Sequence, residues 1–186
     1  MAVCFIRRVF RSAICNKSIL PTCLIALLLT ANSSTAAQET LSKLSESEID
    51  SSALTLPGNA PYGSAINGLA FQQDALSTFA GWQYAAYYDG SRHVAIARRL
   101  LPHGVWQVVR FSDYKFTSND AHNTISLGIC AKDGTIHLAF DHHNDPLHYR
   151  VSKPGAATHP EKAAWDASLF GPIHSDLEPG KPIAGG

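Results

Sequence analysis

The chain has 186 residues, in which 15 basic and 15 acidic residues give a formal net charge of zero with neutral histidines. Residues 1–37 hold four basic residues and no acidic one, so their removal leaves 15 − 4 = 11 basic residues against 15 acidic ones, a formal charge of −4. Nucleic-acid-binding domains carry a basic surplus, and we therefore expect no nucleic-acid partner.

The N-terminal segment has the three parts of a secretory signal peptide: a basic head, a short apolar middle and a small-residue cleavage site. A membrane anchor is the alternative, but a bilayer-spanning helix needs about 20 continuous apolar residues, and the apolar stretch here is about half as long. We predict that residues 1–37 are removed and that the protein is secreted or periplasmic, with no membrane contact afterwards. The three parts are Arg7, Arg8, Arg11 and Lys17, then Ile19 to Leu29, then Thr35-Ala36-Ala37.

Residues 38–60 are first polar and then rich in Gly, Pro and Asn, which predicts a polar linker. Loss of residues 1–37 also removes three of the four cysteines and leaves Cys130. One thiol cannot form an internal disulfide, so the fold must be held by its core.

From about residue 61, short runs rich in Tyr, Val, Ile and Trp alternate with turn residues, which is typical of an all-β fold. Four strands are predicted first, at Leu76–Ala80, Trp82–Tyr88, His93–Arg99 and Val105–Phe111. Three more are predicted at Thr124–Cys130, Ile136–Phe140 and Leu147–Val151, before an outer segment that carries Trp165.

The two groups of strands resemble each other, and Trp106 and Trp165 stand 59 residues apart. A period of about 50–60 residues is close to that of β-propeller blades, here about 69–111 and about 120–170. A β-sandwich would give the same strand spacing. Propellers close their ring with about 4–8 blades, so we expect an incomplete propeller, with a complete two-sheet domain as the alternative.

Five of the nine histidines lie in a 27-residue window that runs from His122 to His148. Histidine can take up and release a proton near neutral pH. His122 stands just before a predicted strand, whereas His142 and His143 follow the next one. Polar residues at such positions often carry function, and we predict a site that contains His122 and one of the adjacent pair. His137 and His148 lie within strands and are predicted to be structural.

A metal site is the rival interpretation, because residues 141–145 (Asp-His-His-Asn-Asp) could supply zinc ligands. The chain has no His-x-x-x-His motif and no paired cysteines, which are common zinc signatures. We therefore predict no metal at the site and no cofactor, with a structural calcium ion left open. A serine nucleophile is disfavoured because Gly-x-Ser-x-Gly is absent.

These motifs give the chain a resemblance to a known family. Residues 83–152 resemble the first two blades of the BNR-repeat seven-bladed propellers that include ulvan lyases and rhamnose–glucuronate lyases. The segments that carry the resemblance are Tyr84–Asp89, Val94–Arg99, Asn119–Asn123 and His137–His143. The resemblance implies a seven-bladed all-β propeller, of which this chain holds an incomplete portion of about two four-stranded blades.

The resemblance also implies a function. In those lyases two histidines from these motifs act at the cleft, and here they correspond to His122 and to His143 as first choice, with His142 as second. The family also uses a tyrosine and an arginine from later blades, beyond the end of this chain. We expect a polysaccharide lyase that removes the C5 proton of a uronic acid in an acidic rhamnose/glucuronate polysaccharide, acting as a monomer. Asn123, Asn144 and Arg150 are predicted to bind the substrate.

Two other functions remain open at this stage. One is a sialidase-like glycoside hydrolase, whose Asp-box motif residues 132–135 match only in part. The other is a non-catalytic carbohydrate-binding propeller that would use strand aromatics as stacking surfaces. Such aromatics are expected to fill the core instead; they are Trp82, Tyr87, Tyr88 and Trp106.

Overall fold

The computed structural model describes residues 42–43, 45–68 and 74–184. The predicted signal peptide and the first residues of the predicted linker lie outside this range. The chain divides into two units, Met1–Lys43 and Leu44–Gly186, and the strands described below belong to the second. In the described part, no helix is long and apolar enough to cross a membrane.

The first sheet is antiparallel and has four strands in sequence order. The second strand matches its predicted range, and the other three differ from theirs by one or two residues at an end. Asp89 closes the central hairpin because its Oδ1 accepts hydrogen bonds from the backbone N–H groups of Ser91 and His93. The strands are β1 Leu76–Phe79, β2 Trp82–Tyr88, β3 Val94–Leu100 and β4 Gln107–Phe111.

The second sheet contains β5 Ile125–Ile129, β6 Ile136–Phe140 and β7 His148–Val151, also antiparallel. The predicted fourth strand of this blade is reduced to two isolated bridges, from His174 to Tyr149 in β7 and from Phe170 to Ser152 directly after β7. Pro172 stands between these bridges and cannot donate to a strand ladder. A short 3-10 helix, Ala167–Leu169, also precedes the segment. The second blade therefore has three regular strands and an irregular outer edge.

The two sheets share one hydrophobic core. Alternate residues of the first sheet, among them Tyr84, Tyr88 and Ile96, face alternate residues of the second, such as Leu138 and Phe140. This alternation follows from the two-residue period of a strand. The all-β prediction is confirmed, and the arrangement is that of part of a β-propeller, with consecutive sheets packed against each other.

Trp106 and Trp165, which occupy matching positions in the two predicted blades, pack differently. Trp106 lies against Tyr87 and Ala95 on the other face of the first sheet. Trp165 packs against the core between the sheets, and its indole N–H donates to the Gln107 carbonyl oxygen at 2.9 Å. The two residues are therefore not equivalent, although the repeat that they suggested is real.

The prediction of a polar linker at 38–60 is wrong for its second half. Residues 45–68, here called the N-terminal strap, pack against the first sheet. Leu54 and Leu56 are buried, and the Leu54 N–H donates to the Tyr88 carbonyl oxygen at 2.8 Å. A side chain at Gly90 would clash with the Ser52 carbonyl oxygen, which shows how closely the strap approaches. Buried leucines and backbone pairing make the strap part of the folded unit.

Candidate functional site

Two polar loops meet at one end of the second sheet. Ile125 at the start of β5 pairs with Phe140 at the end of β6, so the loop before β5 lies beside the loop after β6. The two histidine motifs are thereby brought together. An open cleft of about 480 Å³ lies beside them. Its lining residues are His122, Thr124, Ser126, Ala139, Phe140, His142, His143 and Leu147.

The carboxylate of Asp120 links the two histidine rings. Its Oδ1 lies 2.9 Å from Nδ1 of His122, and its Oδ2 lies 3.0 Å from Nδ1 of His143. The centroids of the two rings are 4.8 Å apart. A carboxylate can only accept hydrogen bonds when ionised, so this arrangement favours a proton on Nδ1 of each ring. Nε2 is then the nitrogen of each ring that can accept a proton from a substrate.

The surroundings of Asp120 keep its carboxyl group ionised. Burial would raise its pKa, but the backbone N–H of His122, the ring of His143 and the charges of the two histidines outweigh burial and lower the pKa. Asp120 therefore remains an anion at the pH where histidine exchanges protons. It is suited to orient two imidazoles and to stabilise a positive charge on either one.

Both loops are braced by buried or paired groups. The Oδ1 of Asn123, which is 2% exposed, accepts the backbone N–H of His143 at 2.7 Å. The Tyr88 hydroxyl donates to the Asn123 carbonyl oxygen at 2.9 Å. Arg92 donates to the Ser118 carbonyl oxygen and to the Asn119 side chain. These contacts fix the loop that carries Asp120 and tie it to the loop that carries His143.

The loop after β6 bends sharply at two residues. Asp141 and Asn144 have φ angles of 48° and 61°, in the left-handed region. Asp and Asn tolerate this region better than most residues. The bend directs His143 toward Asp120, whereas the ring of His142 turns to the Asp145 carbonyl oxygen at 2.9 Å. Both histidines line the cleft, but only His143 contacts Asp120.

Tyr62 of the N-terminal strap also reaches the site. Its ring centroid lies 3.9 Å from that of His122, although the side chain is 65% exposed. Its φ of 63° is unusual for an aromatic residue. No local pattern in the sequence indicates this contact, because Tyr62 lies 60 positions before His122 and next to a stretch predicted to be a linker.

The three residues predicted to bind substrate lie in different environments. Asn144 is exposed, and its Nδ2 lies 3.3 Å from Nδ1 of His143. Asn123 is buried and holds the backbone of His143 rather than facing the cleft. Arg150 is only 3% exposed; it pairs with Asp113, and its guanidinium carbon lies 4.2 Å from the ring centroid of Phe111. The assignment of Arg150 to substrate binding is corrected, since it is held between the sheets.

The structure places His137 and His148 in packing roles. His137 hydrogen-bonds with Thr135 and Tyr149 on the second sheet. His148 stacks on Phe140 and bonds to the backbone carbonyl oxygen of Asp141. Neither ring contacts Asp120, so the proton-transfer candidates reduce to the pair on that carboxylate and the neighbouring His142.

Asp120, His122 and His143 are also the one group of three potential metal ligands found in the described residues. One donor atom from each lies within 4.8 Å of the others. Of residues 141–145, which were predicted as possible zinc ligands, only His143 belongs to this group. The Asp141 carboxylate accepts from the Tyr114 hydroxyl, and the His142 ring bonds within its own loop.

Comparison with known proteins identifies the family. The model of the BNR repeat-containing family matches residues 82–182. The crystal structure of polysaccharide lyase Uly1 is similar at 24% identity with a TM-score of 0.53, over 68% of this chain and 31% of that one. This chain thus spans about a third of the length of that protein, and the likeness shows the propeller fold. No curated protein matches the chain. The match over residues 82–182 shows that the chain belongs to the BNR repeat-containing family.

Proposed function

We propose that this protein cleaves a uronic-acid-containing polysaccharide by β-elimination, with His122 and His143 as the proton-transfer groups. The observation that carries the proposal is the pair of imidazoles joined by Asp120 at the edge of an open cleft. The likeness to a solved polysaccharide lyase supports the class of substrate. The rhamnose/glucuronate backbone is the substrate that we expect from the family resemblance.

The geometry suits a reaction that moves two protons. One neutral imidazole takes the C5 proton of the uronic acid through Nε2, and the other, in its protonated form, donates a proton to the departing oxygen at C4. Two charged rings 4.8 Å apart would repel each other, whereas one charged and one neutral ring share Asp120 without that cost. The pair therefore supplies one acid and one base at the same time.

Asp120 supports both steps without touching the sugar. It holds each ring through Nδ1 and so points the Nε2 atoms away from itself. A carboxylate in this position stabilises the imidazolium that forms when a ring takes up the C5 proton. We infer that Asp120 is a positioning residue and that its lowered pKa keeps it charged during turnover.

The cleft is less suited to glycoside hydrolysis. Most glycosidases place two carboxyl groups on either side of the scissile bond. In the described lining of the cleft, no residue is Asp or Glu, and Asp120 is engaged by two imidazoles. Carbohydrate binding through the strand aromatics is also disfavoured, because Tyr87 and Tyr88 are buried. We therefore place elimination ahead of both alternatives.

The setting of the reaction is proposed from the sequence. A predicted signal peptide at 1–37 and an acidic mature chain fit a secreted or periplasmic enzyme that meets its polysaccharide outside the cytoplasm. We propose that it acts as a monomer, without a cofactor, and that it has no nucleic-acid partner.

The test is an assay for the product of elimination. A full-length version of the protein is incubated with ulvan or gum arabic, and we expect an unsaturated uronate that absorbs in the near ultraviolet. His122→Ala and His143→Ala should each lower kcat at least about 100-fold, because general acid–base groups contribute about 10² to 10⁴. Circular dichroism and thermal unfolding should show that both variants keep the fold.

His103→Ala serves as the matched control, since His103 is exposed in the β3–β4 turn, away from the cleft. It should retain the activity of the unaltered chain. Release of sugar without the ultraviolet signal would contradict elimination. Full activity in His143→Ala would remove that residue from the mechanism.

A further inference from the structure

The two histidines and the carboxylate form a donor set for a metal ion as well as for protons. Donor atoms of Asp120, His122 and His143 all lie within 4.8 Å of one another, and the two carboxylate–ring separations are 2.9 and 3.0 Å. Donors around a four-coordinate zinc ion stand about 3.3 Å apart, given bonds of about 2.0–2.1 Å. A movement on the order of 1 Å would therefore close the three donors around one ion.

The chemistry of the donors selects the kind of ion. Two imidazole nitrogens and one carboxylate oxygen suit zinc and neighbouring transition metals. Calcium takes about six to eight oxygen ligands, and magnesium prefers oxygen ligands in an octahedron. A group of donors with two nitrogen atoms therefore suits neither calcium nor magnesium. The set therefore discriminates against the common hard cations.

Neighbouring residues hold the three donors in place. Asn123 holds the backbone of His143, and Arg92 holds the loop that leads to Asp120. The three side chains are 20–40% exposed, so a bound ion would keep a position open to the cleft. Three protein ligands with one open position match the ligand count of zinc sites whose fourth position holds water or a substrate.

We propose that Asp120, His122 and His143 bind one divalent transition-metal ion, with zinc as the favoured member of the class, and that the bound ion blocks proton transfer. The blocking part rests on the proposed function, because the ion would take up the same side chains that move protons. Metal binding itself does not depend on it. The site would thus act as a zinc-sensitive lyase centre rather than a zinc-dependent one.

The first test measures binding without any polysaccharide. The chain is freed of metal with a chelator and titrated with zinc chloride in a calorimeter. We expect one site, with an affinity at least about tenfold lower in His143→Ala and in Asp120→Asn, since loss of a ligand costs at least what loss of an outer-shell partner does. His142→Ala is the matched control, because His142 lines the same cleft outside the donor set; its affinity should be unchanged. Calcium and magnesium should not compete.

A spectroscopic measurement avoids reliance on variants that could fail to fold. Titration of the unaltered chain with cobalt(II) should give the intense visible absorption of a four-coordinate ion, and zinc should abolish it. Absence of zinc binding would overturn the proposal. Binding in His143→Ala and Asp120→Asn that equals that of the unaltered chain would also overturn it, because the ion would then be bound by other residues.

The second test addresses blocking. If the chain eliminates polysaccharide, zinc at concentrations near its measured Kd should halve the rate, and a chelator should restore it. Zinc binding with an unaltered rate would overturn the blocking part alone. A chain that binds zinc but yields no unsaturated product would instead contradict the proposed lyase function, so the two failures are distinguishable.

Discussion

Tyr62 is the side chain whose position at the cleft is hardest to explain by packing alone. An exposed aromatic ring with a left-handed backbone costs free energy on the order of 1 kcal/mol, yet this ring lies against His122. We expect it to stack on a sugar of the polysaccharide. Tyr62→Ala should weaken polysaccharide binding about three- to tenfold, the equivalent of about 0.5–1.5 kcal/mol for an aromatic contact.

The control for this prediction is Tyr62→Phe, which keeps the ring and removes the hydroxyl group. Its affinity should stay within about twofold of that of the unaltered chain, and affinity electrophoresis in a His143→Ala background would measure both variants without turnover. Equal loss in Phe and Ala variants would mean that the hydroxyl group, not the ring, makes the contact.

For individual side chains, the sequence was informative about residues next to a motif. It was uninformative about contacts between residues that lie far apart in the chain. The polar steps around His122 and His143 were the basis for predicting that both rings share a site, because His122 precedes a strand and His143 follows one. The Asp-x-His spacing of Asp120 and His122 could have suggested the carboxylate–ring bond. Tyr62 and the burial of Arg150 depend on contacts between segments far apart in the chain, which no local pattern encodes.

Arg98 connects the first sheet to the segment after β7. Its guanidinium carbon lies 5.0 Å from the ring centroid of Trp82 and 4.5 Å from that of Trp165, and its Nη1 donates to the Pro160 carbonyl oxygen at 2.7 Å. We expect Arg98→Ala to lower the free energy of unfolding by about 3 kcal/mol, from lost cation–π contacts and a buried charged hydrogen bond. Urea unfolding followed by circular dichroism would measure this loss.

Arg98→Lys should recover only a small part of that loss, because an ammonium group cannot stack as a planar guanidinium does. Arg99→Ala offers the comparison on the same strand. Arg99 is partly exposed over Trp106, so its loss should cost less than about 1 kcal/mol. Similar losses for Arg98→Ala and Arg99→Ala would show that the stacking of Arg98 between Trp82 and Trp165 contributes little stability.

The N-terminal strap is held to the first sheet by a carboxylate that titrates in acid. The hydroxyl group of Ser52 donates to Asp50, and with Arg110 and Tyr87 it outweighs burial and lowers the pKa of Asp50 from 3.8 to about 2. A carboxyl group with a lowered pKa stabilises the fold above its unfolded pKa, and this stability is lost as the pH falls from about 4 toward 2. The thermal midpoint should fall across that interval.

Asp50→Asn isolates the contribution of this group from those of other carboxylates. The variant should be less stable than the unaltered chain at pH 5, and the difference should shrink as the pH approaches 2. Thermal midpoints of both proteins between pH 5 and pH 2 would decide this. Parallel curves would mean that Asp50 does not couple the strap to the sheet.

The strands were the most predictable elements, because buried alternate positions impose a two-residue pattern that is visible in the sequence. Ile136–Phe140 carries that pattern without interruption, whereas Trp82–Tyr88 is a run whose last five residues are all buried. The bounds of both strands were predicted as observed. The outer edge of the second sheet was not predictable in the same way. Its pairing is interrupted at Pro172, and its two bridges depend on where β7 lies.

For the whole folded unit, the N-terminal strap is the segment with which the unit begins. Two of its buried apolar residues, Leu54 and Leu56, stand among polar, Gly and Pro residues, so the sequence indicated a linker. Their partners are residues of the first sheet, such as Tyr88. Burial of a leucine contributes about 1.5–3 kcal/mol, and two of them represent a large share of the stability of a small domain.

This contrast gives a prediction that compares two shortened chains. A chain of residues 44–186 should keep the cooperative unfolding transition of the folded unit. A chain of residues 61–186 lacks Leu54, Leu56 and the backbone pairing of Ala53 with Asp89, so its midpoint should fall steeply or the chain should aggregate. Differential scanning calorimetry would compare the two. Equal midpoints would restore the linker interpretation of residues 45–60, because a segment that contributes no stability is not part of the fold.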